Sequence, residues 1–390
     1  MSSFQFFVPT KALFGFGKLR TLHEQALPGK KALLIISNGK STKANGYLAR
    51  TEDELHQAGV ETVLFDQIEP NPLKSTVMKG AAAARENGCD FLVALGGGSC
   101  MDAAKAIAVM ATNDGDLWDY ISQGTGKGKP IAVKPLPIVA ITTTAGTGSE
   151  TDAGGVITNE ETNEKTPIKG PQLFPVLAII DPELMMTVPP KYTAYQGFDA
   201  LYHNIEGYLS NKASLMSEMV ALEAIRQISG SIAAAVKDGS DKVARERMAF
   251  ANYLGGIEMC LSGNMSEHSL EHALSAYHQH LPHGAGLIII SLAYFKHMID
   301  THVCDERFVT LAQNMGRPQA TKPEEFLTAL ADLHKACGVD GLKMSDYDIS
   351  PDEFPKMAEN AKDAMGYLFA NDRMDLTIAD SIKIYQESYR

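Results

Sequence analysis

The sequence predicts an α/β domain followed by an all-helical domain. Two observations carry this. Up to residue 188, short apolar runs ending in turn residues alternate with helix-like segments; from residue 189 only helical periodicity remains. Alternation of strand and helix argues for a parallel sheet with helices on its faces. At 390 residues the chain is about twice a typical single domain, so two domains, 1–188 and 189–390, are expected.

The elements read in order. "KALLIISNG" is a buried strand running into an Asn-Gly turn. "TEDELHQAG" is a helix, with Thr51 placed to cap its start and Gly59 just past its end. "ETVLFDQI" is a strand, "LKSTVMKGAAAARENGC" an Ala-rich helix, "DFLVALGGGS" another buried strand and "CMDAAKAIAVMATN" a helix. "PLPIVAITTTAGTGSE" holds a further strand that enters a Gly/Thr/Ser loop. The Pro189-Pro190 pair marks the boundary. Beyond it "DALYHNIEGYLS", "SLMSEMVALEAIRQISGSIAAAV", "VARERMAFANYLGGIEMC" and "GAGLIIISLAYFKHMID" read as helices, with "GLIIIS" short enough to be either type.

Composition excludes several classes. With 45% apolar and 21% charged residues the chain is an ordinary globular protein. A net charge of −12 repels a phosphodiester backbone, so no nucleic-acid partner is expected. Five cysteines, an odd number with no CxxC pair, point to reduced thiols and a cytoplasmic protein. Cys100 reads as a small apolar filler, with no basic partner nearby in sequence. The opening "MSSFQFFVPTKALFGFG" is too polar for a signal peptide, and no apolar run is long enough for a membrane span.

Four motifs carry chemistry. Gly96, Gly97, Gly98 and Ser99 lie between a strand and a helix, where glycines let backbone approach a phosphate at a helix N-terminus; a tight turn with no ligand is the plain alternative. "TTTAGTGSE" places small hydroxyl residues after a strand, either to contact a phosphate, ribose or amide or as a flexible loop. Asp199 and His203 are four apart, so they share a helix face and can bind one divalent metal; a surface pair would look the same. The fourth motif is "SEHSLEHALSAYHQHLPHG", which holds five of the eleven histidines. His268 and His272 share a helix face, and His283 follows Pro282 in a loop. Two ligands on one helix with two more from a second helix and its following loop close a four-ligand site that leaves room for water or substrate oxygen.

Taken in order, "GGGS-x-x-D-x-x-K", "TTAGTGSE", "DPEL", "D-A-L-x-H-x-I-E", "H-x-x-x-H-x-L-S-A-Y" and "PHG" resemble the iron-containing (group III) alcohol dehydrogenase family, from "FGFG" to about residue 290 and more loosely beyond. The resemblance implies an α/β dinucleotide-binding domain and an all-α metal-binding catalytic domain, the dehydroquinate synthase-like architecture, with the active site between them and a homodimer as the usual assembly. It implies Asp199, His203, His268 and His283 as metal ligands, with Fe(II) favoured and Zn(II) as the alternative. His272 matches a histidine beside the substrate that is not a ligand. Gly97, Gly98, Ser99 and Asp102 match pyrophosphate and nicotinamide contacts, Thr143 and Thr144 the loop beside the cofactor, Lys165 a cofactor-contacting lysine, and Asn71 a residue near the adenosine side.

Two departures stand out. His268 and His283 are fifteen apart where fourteen is usual in the family, which leaves His280 as the alternative last ligand. Tyr202 stands where a small residue is common. Cofactor choice follows from charge. NAD-selective members often carry an Asp after the first strand, which repels a 2′-phosphate; here Asn38 is followed by Gly39, Lys40 and Ser41, so NADP(H) is favoured over NAD(H). The expected reaction interconverts small primary alcohols and aldehydes by hydride transfer. His272 is expected to relay the hydroxyl proton, with orientation of a ligand as its other reading. A polyol dehydrogenase of the same superfamily is the alternative. A dehydroquinate-synthase-type cyclase needs basic residues for a substrate phosphate, and residues 260–290 contain no Lys or Arg. A metal-binding scaffold gives no reason for the phosphate loops.

Overall fold

The apolar runs of the first half become the central strands of one sheet. A computed structural model describes residues 3–390. The described residues form two units, Phe7–Thr187 and Val188–Arg390, the latter including residues 3–6.

The first unit holds β1 (Lys11–Phe14), β2 (Lys31–Ser37), β3 (Glu61–Ile68), β4 (Phe91–Gly96), β5 (Ile138–Thr142), β6 (Gly154–Asn159), β7 (Glu164–Lys169) and β8 (Leu177–Ile180). Six strands make a sheet in the order β1-β8-β5-β4-β2-β3, and every neighbouring pair is parallel. Leu33 and Ile35 face one core with Leu92 and Ala94, while Ala32, Leu34 and Ile36 face the other with Val93 and Leu95. Burial on both faces explains why these strands read as unbroken apolar runs. Each fully buried Leu or Ile contributes roughly 1.5–3 kcal/mol over an exposed one. The helices are α1 (Ser41–Ala44), α2 (Tyr47–Gln57), α3 (Lys74–Glu86) and α4 (Gly98–Met110). In α4 only Ser99 and Asp102 are not buried, and its many alanines let it lie close against the sheet.

β2 lies between β3 and β4, so the chain leaves it towards β3 and later returns to its other side. That reversal is a topological switch point, where open parallel sheets take ligands at their carboxyl ends. Asn38 follows the last residue of β2, and Gly97 follows the last residue of β4. The switch point therefore sits between the two segments singled out for a nucleotide.

Local details differ from the sequence reading. Thr51 does not cap α2. That helix begins at Tyr47 after a left-handed Gly46, and the Thr51 hydroxyl donates to the Tyr47 carbonyl from inside it. The Asn45-Gly46 turn sets the start, because glycine adopts this backbone at no steric cost. The antiparallel hairpin β6–β7 was not foreseen; its turn places Asn163 at φ 53, a conformation Asn tolerates better than most residues.

The second unit shows only helices among its described residues: α5 (Pro190–Leu209), α6 (Leu215–Ser229), α7 (Ile232–Lys237), α8 (Lys242–Leu261), α9 (Ser266–Tyr277), α10 (His283–Asp300), α11 (Asp305–Asn314), α12 (Glu324–Ala336), α13 (Phe354–Phe369) and α14 (Ile378–Ser388). Pro190 opens α5 at its first position, where a missing N–H costs nothing. Gly230-Ser231 splits the expected single helix into α6 and α7. "GLIIIS" is helical, within α10, and His283 is the first residue of that helix, not a loop residue; Pro282 before it supplies the extended entry. No helix among the described residues is long and apolar enough to cross a membrane.

Candidate active site

Three helix segments bring the second unit's polar side chains together. Asp199 and His203 share a face of α5, His268 and His272 share a face of α9, and His283 opens α10. The Nε2 atoms of His203, His268 and His283 lie 3.6, 3.6 and 3.4 Å from Asp199 Oδ1. Atoms bound to one ion at about 2.0–2.2 Å stand roughly 3.0–3.6 Å apart, so each imidazole is spaced from Asp199 as a co-ligand would be, and the ligand atoms of Asp199, His268 and His283 all lie within 4.8 Å of one another. Asp199 Oδ1 and His268 Nε2 are buried and make no hydrogen bond within the protein. Leaving two such atoms bare is costly, and a metal satisfies both at once.

The far side of two rings is also held. His268 Nδ1 meets the Glu206 carboxylate, and His283 Nδ1 meets that of Glu271. A carboxylate there fixes the tautomer and leaves Nε2 as the donor towards a metal. Glu206 also accepts the Met265 N–H at 2.6 Å, joining α5 to the start of α9. Burial pushes the Asp199 carboxyl up, but the imidazoles of His203 and His283 reverse this and hold it well below the usual range. Burial lowers His268, yet Glu206 and Asp199 raise it to about 10. Glu258 and Glu267 are pushed well above the carboxylate range, first by burial and then by the Glu206 charge.

His272 is buried one turn along from His268, its ring 5.1 Å from that of His283, with Nδ1 2.8 Å from Met365 Sδ. His280 lies outside the cluster: it is exposed and 3.6 Å from Asp348. His278 pairs with Glu353 at 3.0 Å. The turn between α9 and α10 spans residues 278–282, and His283 stands at the start of α10. Tyr202 points away from the ligands; its hydroxyl meets His334 Nε2 at 2.7 Å and donates to Ser291.

The first unit gathers a different set at the carboxyl ends of its strands. α4 begins at Gly98 with no side-chain cap and no acid in its first turn, leaving its N-terminal field open to an anion. A Cβ on Gly97 would stand 2.9 Å from Thr144, and one on Gly98 2.3 Å from Thr147, so both glycines are required for the loop after β5 to sit against the turn. Thr143 and Thr144 are half-buried there, and the Thr143 N–H donates to the Gly96 carbonyl. Both Asp102 oxygens are engaged, one by the Ser149 hydroxyl at 2.6 Å and one by the Val156 N–H at 3.1 Å. Burial raises this carboxyl to about 6 against the pull of Lys105. Lys105 itself is fully buried and donates to Ser149 Oγ, Asp152 Oδ1 and the Gly154 carbonyl at 2.8, 2.6 and 2.6 Å. Asn71 is buried at φ 55, and buried Lys165 sits in β7 opposite Thr158, whose N–H bonds the Pro72 carbonyl. The segment after Asn71 is thus tied to the hairpin strand that pairs with Lys165. Asn38, Gly39 and Lys40 are exposed.

Sequence reasoning assigned no role to Glu206, Glu271, Lys105 or Met365. For the two acids a signal was present: each lies three residues past a candidate ligand, on the same helix face. Met365 carried none, because it acts through an irregular turn inside α13.

Two family models match the chain, iron-containing alcohol dehydrogenase over residues 9–182 and its C-terminal domain over residues 193–389. The chain belongs to the iron-containing alcohol dehydrogenase family. It is similar to a 1,3-propanediol dehydrogenase of Klebsiella pneumoniae, 35% identical over 95% of both chains, and to an NAD-dependent methanol dehydrogenase of Bacillus methanolicus, 31% identical over 91% of this chain and 92% of the relative. Among solved structures it is similar to an archaeal halo-thermophilic alcohol dehydrogenase from a Red Sea brine pool, with a TM-score of 0.95 and 33% identity over 100% of this chain and 99% of that one. This member of the family is a metal-dependent, NAD(P)-dependent alcohol dehydrogenase, an oxidoreductase.

Proposed function

We propose that Asp199, His203, His268 and His283 hold the metal, Fe(II) by preference and Zn(II) otherwise, and that the enzyme interconverts small primary alcohols and aldehydes. The convergence of three imidazole Nε2 atoms on the bare Asp199 Oδ1 supports this reading most. A divalent metal there supplies Lewis-acid polarisation of the substrate oxygen, and the nicotinamide supplies or accepts the hydride. Glu206 and Glu271 keep the Nε2 lone pairs of His268 and His283 aimed into the pocket. His272 handles the hydroxyl proton. Its Nδ1 faces a thioether that has no proton to give, so Nδ1 carries the hydrogen and Nε2 is the basic nitrogen.

Residues 1–188 serve as the dinucleotide-binding domain and residues 189–390 as the metal-binding and catalytic domain. Gly97, Gly98, Ser99, Thr143 and Thr144 border the pyrophosphate and nicotinamide, and Asn71 and Lys165 border the adenosine side. Asp102 borders the same contacts, its oxygens also holding Ser149 and Val156. NADP(H) is preferred, since exposed Asn38 and Lys40 at the switch point offer donors and a positive charge, with no carboxylate from 38 to 41. The relative named for NAD makes NAD(H) the competing choice. The enzyme is a homodimer and cytoplasmic; its five cysteines form no disulfide among the described residues, which suits a reducing compartment. The diol named for the 35% identical relative earns 1,3-propanediol a place in the substrate panel.

The test is loss of NADPH and NADH absorbance with a panel of small aldehydes, using anaerobically purified protein of measured metal content, with and without chelator. Turnover abolished by chelator and restored by metal is expected. Absence of turnover with any aldehyde in metal-replete protein refutes the substrate reading. Asn38→Asp should raise KM for NADP+ more than for NAD+, and equal changes refute the cofactor preference.

A further inference from the structure

We propose that Asn371, Asp372 and Arg373 form a clasp that positions the metal site, together gripping the ligand-bearing helices α5, α9 and α10; this rests on the ligand assignment above. The three follow α13 and touch no candidate ligand. Asn371 Nδ2 donates to the Asn264 carbonyl, just before α9, at 2.7 Å. Asp372 accepts the Ser266 N–H at 3.1 Å and the Ser266 hydroxyl at 2.6 Å, at the first residue of α9 and two residues before His268. The hydroxyl of Tyr294, from α10, donates to the same carboxylate at 3.3 Å. Arg373 donates to the Leu209 and Ser210 carbonyls, at the end of α5, at 2.7 and 2.8 Å. Asn211 closes the ring by donating to the Ala370, Asn371 and Asp372 carbonyls.

The chemistry of helix ends explains why these residue types stand here. α9 has no side-chain cap of its own, and Ser266 is fully buried, so its N–H must find an acceptor inside the protein. Asp372 provides it, a carboxyl oxygen accepting at the helix N-terminus. Arg373 places a positive charge at the C-terminus of α5, where the last carbonyls lack partners. One tripeptide therefore ties the helix of Asp199 and His203, the helix of His268 and His272, and the helix that His283 begins. A slip of any one of them changes the separations between the ligand atoms.

The test is the affinity of the metal-stripped full-length protein for Co(II), measured by chelator competition, together with the visible spectrum of the Co(II) form. Asp372→Ala and Arg373→Met should each weaken Co(II) by about tenfold or more, as loss of a supporting contact does at other metal sites, and should alter the visible bands. Loss of stability alone does not move those bands. Asp372→Asn keeps an acceptor for the Ser266 N–H and should recover most of the affinity; failure to recover any overturns the capping role. Co(II) affinity within about twofold of wild type and an unchanged spectrum in both Asp372→Ala and Arg373→Met overturn the clasp. If those two do not fold, Arg373→Lys decides, because it keeps the charge but one ammonium replaces the two-pronged contact. A roughly threefold loss supports the clasp and unchanged affinity overturns it. His268→Ala serves as the reference. If it keeps wild-type affinity, the ligand assignment falls and the clasp with it. If it loses metal while the clasp variants do not, the clasp alone falls.

Discussion

Replacing His334 with Gln should remove part of the acid sensitivity of the fold. His334 is buried in α12, its Nε2 2.7 Å from the Tyr202 hydroxyl and its ring 4.8 Å from that of Phe198. Burial lowers it from 6.5 to about 4. The folded protein therefore stays unprotonated here at a pH where the unfolded chain already binds a proton. The linkage has one sign: stability is full above pH 6.5 and is lost as the pH falls from 6.5 towards 4. Each pH unit in that window is worth about 1.4 kcal/mol, so the whole window is worth about 3 kcal/mol and the stretch down to pH 5 about 2 kcal/mol. Gln can still hydrogen-bond Tyr202 but cannot take up a proton. Urea unfolding followed by far-UV circular dichroism at pH 7.5 and pH 5, for wild type and His334→Gln, isolates the effect because other groups cancel between the two proteins. Wild type should lose about 2 kcal/mol more than the variant. Equal losses refute the assignment of a buried, neutral His334.

Glu206→Gln keeps the shape but weakens the grip on His268, so metal affinity should fall by about 10–100-fold in chelator competition. His268→Ala should abolish metal retention in elemental analysis. Gly98→Ala forces a methyl to 2.3 Å from Thr147; it should cost about 1–3 kcal/mol in thermal or urea unfolding and raise KM for the dinucleotide with metal content unchanged. Gly207→Ala would place a methyl within bonding distance of the Glu258 carboxylate, so a soluble, metal-loaded variant with wild-type Tm would show that α5 and α8 can separate freely, contrary to the structure.

The parallel sheet was readable because both of its faces are buried, which turns the central strands into continuous apolar runs. The candidate ligand pairs were readable for a similar reason, since a four-residue spacing on a helix brings Asp199 to the face of His203 and His268 to that of His272. What joins those two helices was not readable. Glu206 reaches His268 across 62 residues and Asp372 reaches Ser266 across 106, and no local pattern encodes a contact at that range. Helix starts were misplaced for the same reason. Thr51 has the chemistry of a cap, but the left-handed Gly46 fixes where α2 begins. His283 looked like a loop residue because Pro-His-Gly reads as a turn, while Pro282 in fact launches α10. The hairpin β6–β7 escaped notice because it buries residues such as Lys165 and Glu164 beside its apolar ones.

Lys105 bears on how this enzyme can move. Its ammonium is surrounded by three oxygens with no exposure to solvent, and Asp102 grips the same Ser149–Val156 stretch from one turn earlier on α4. The wall beside the glycine turn is thereby anchored, and opening it would strand a buried charge. Whatever adjustment accompanies nucleotide arrival has to take place elsewhere, and the exposed rim from Asn38 to Lys40 is free to make it. Amide hydrogen exchange should show this as a contrast within one unit: slow exchange at Val156, unchanged by nucleotide, against fast exchange at Gly39 and Lys40 that slows when nucleotide binds.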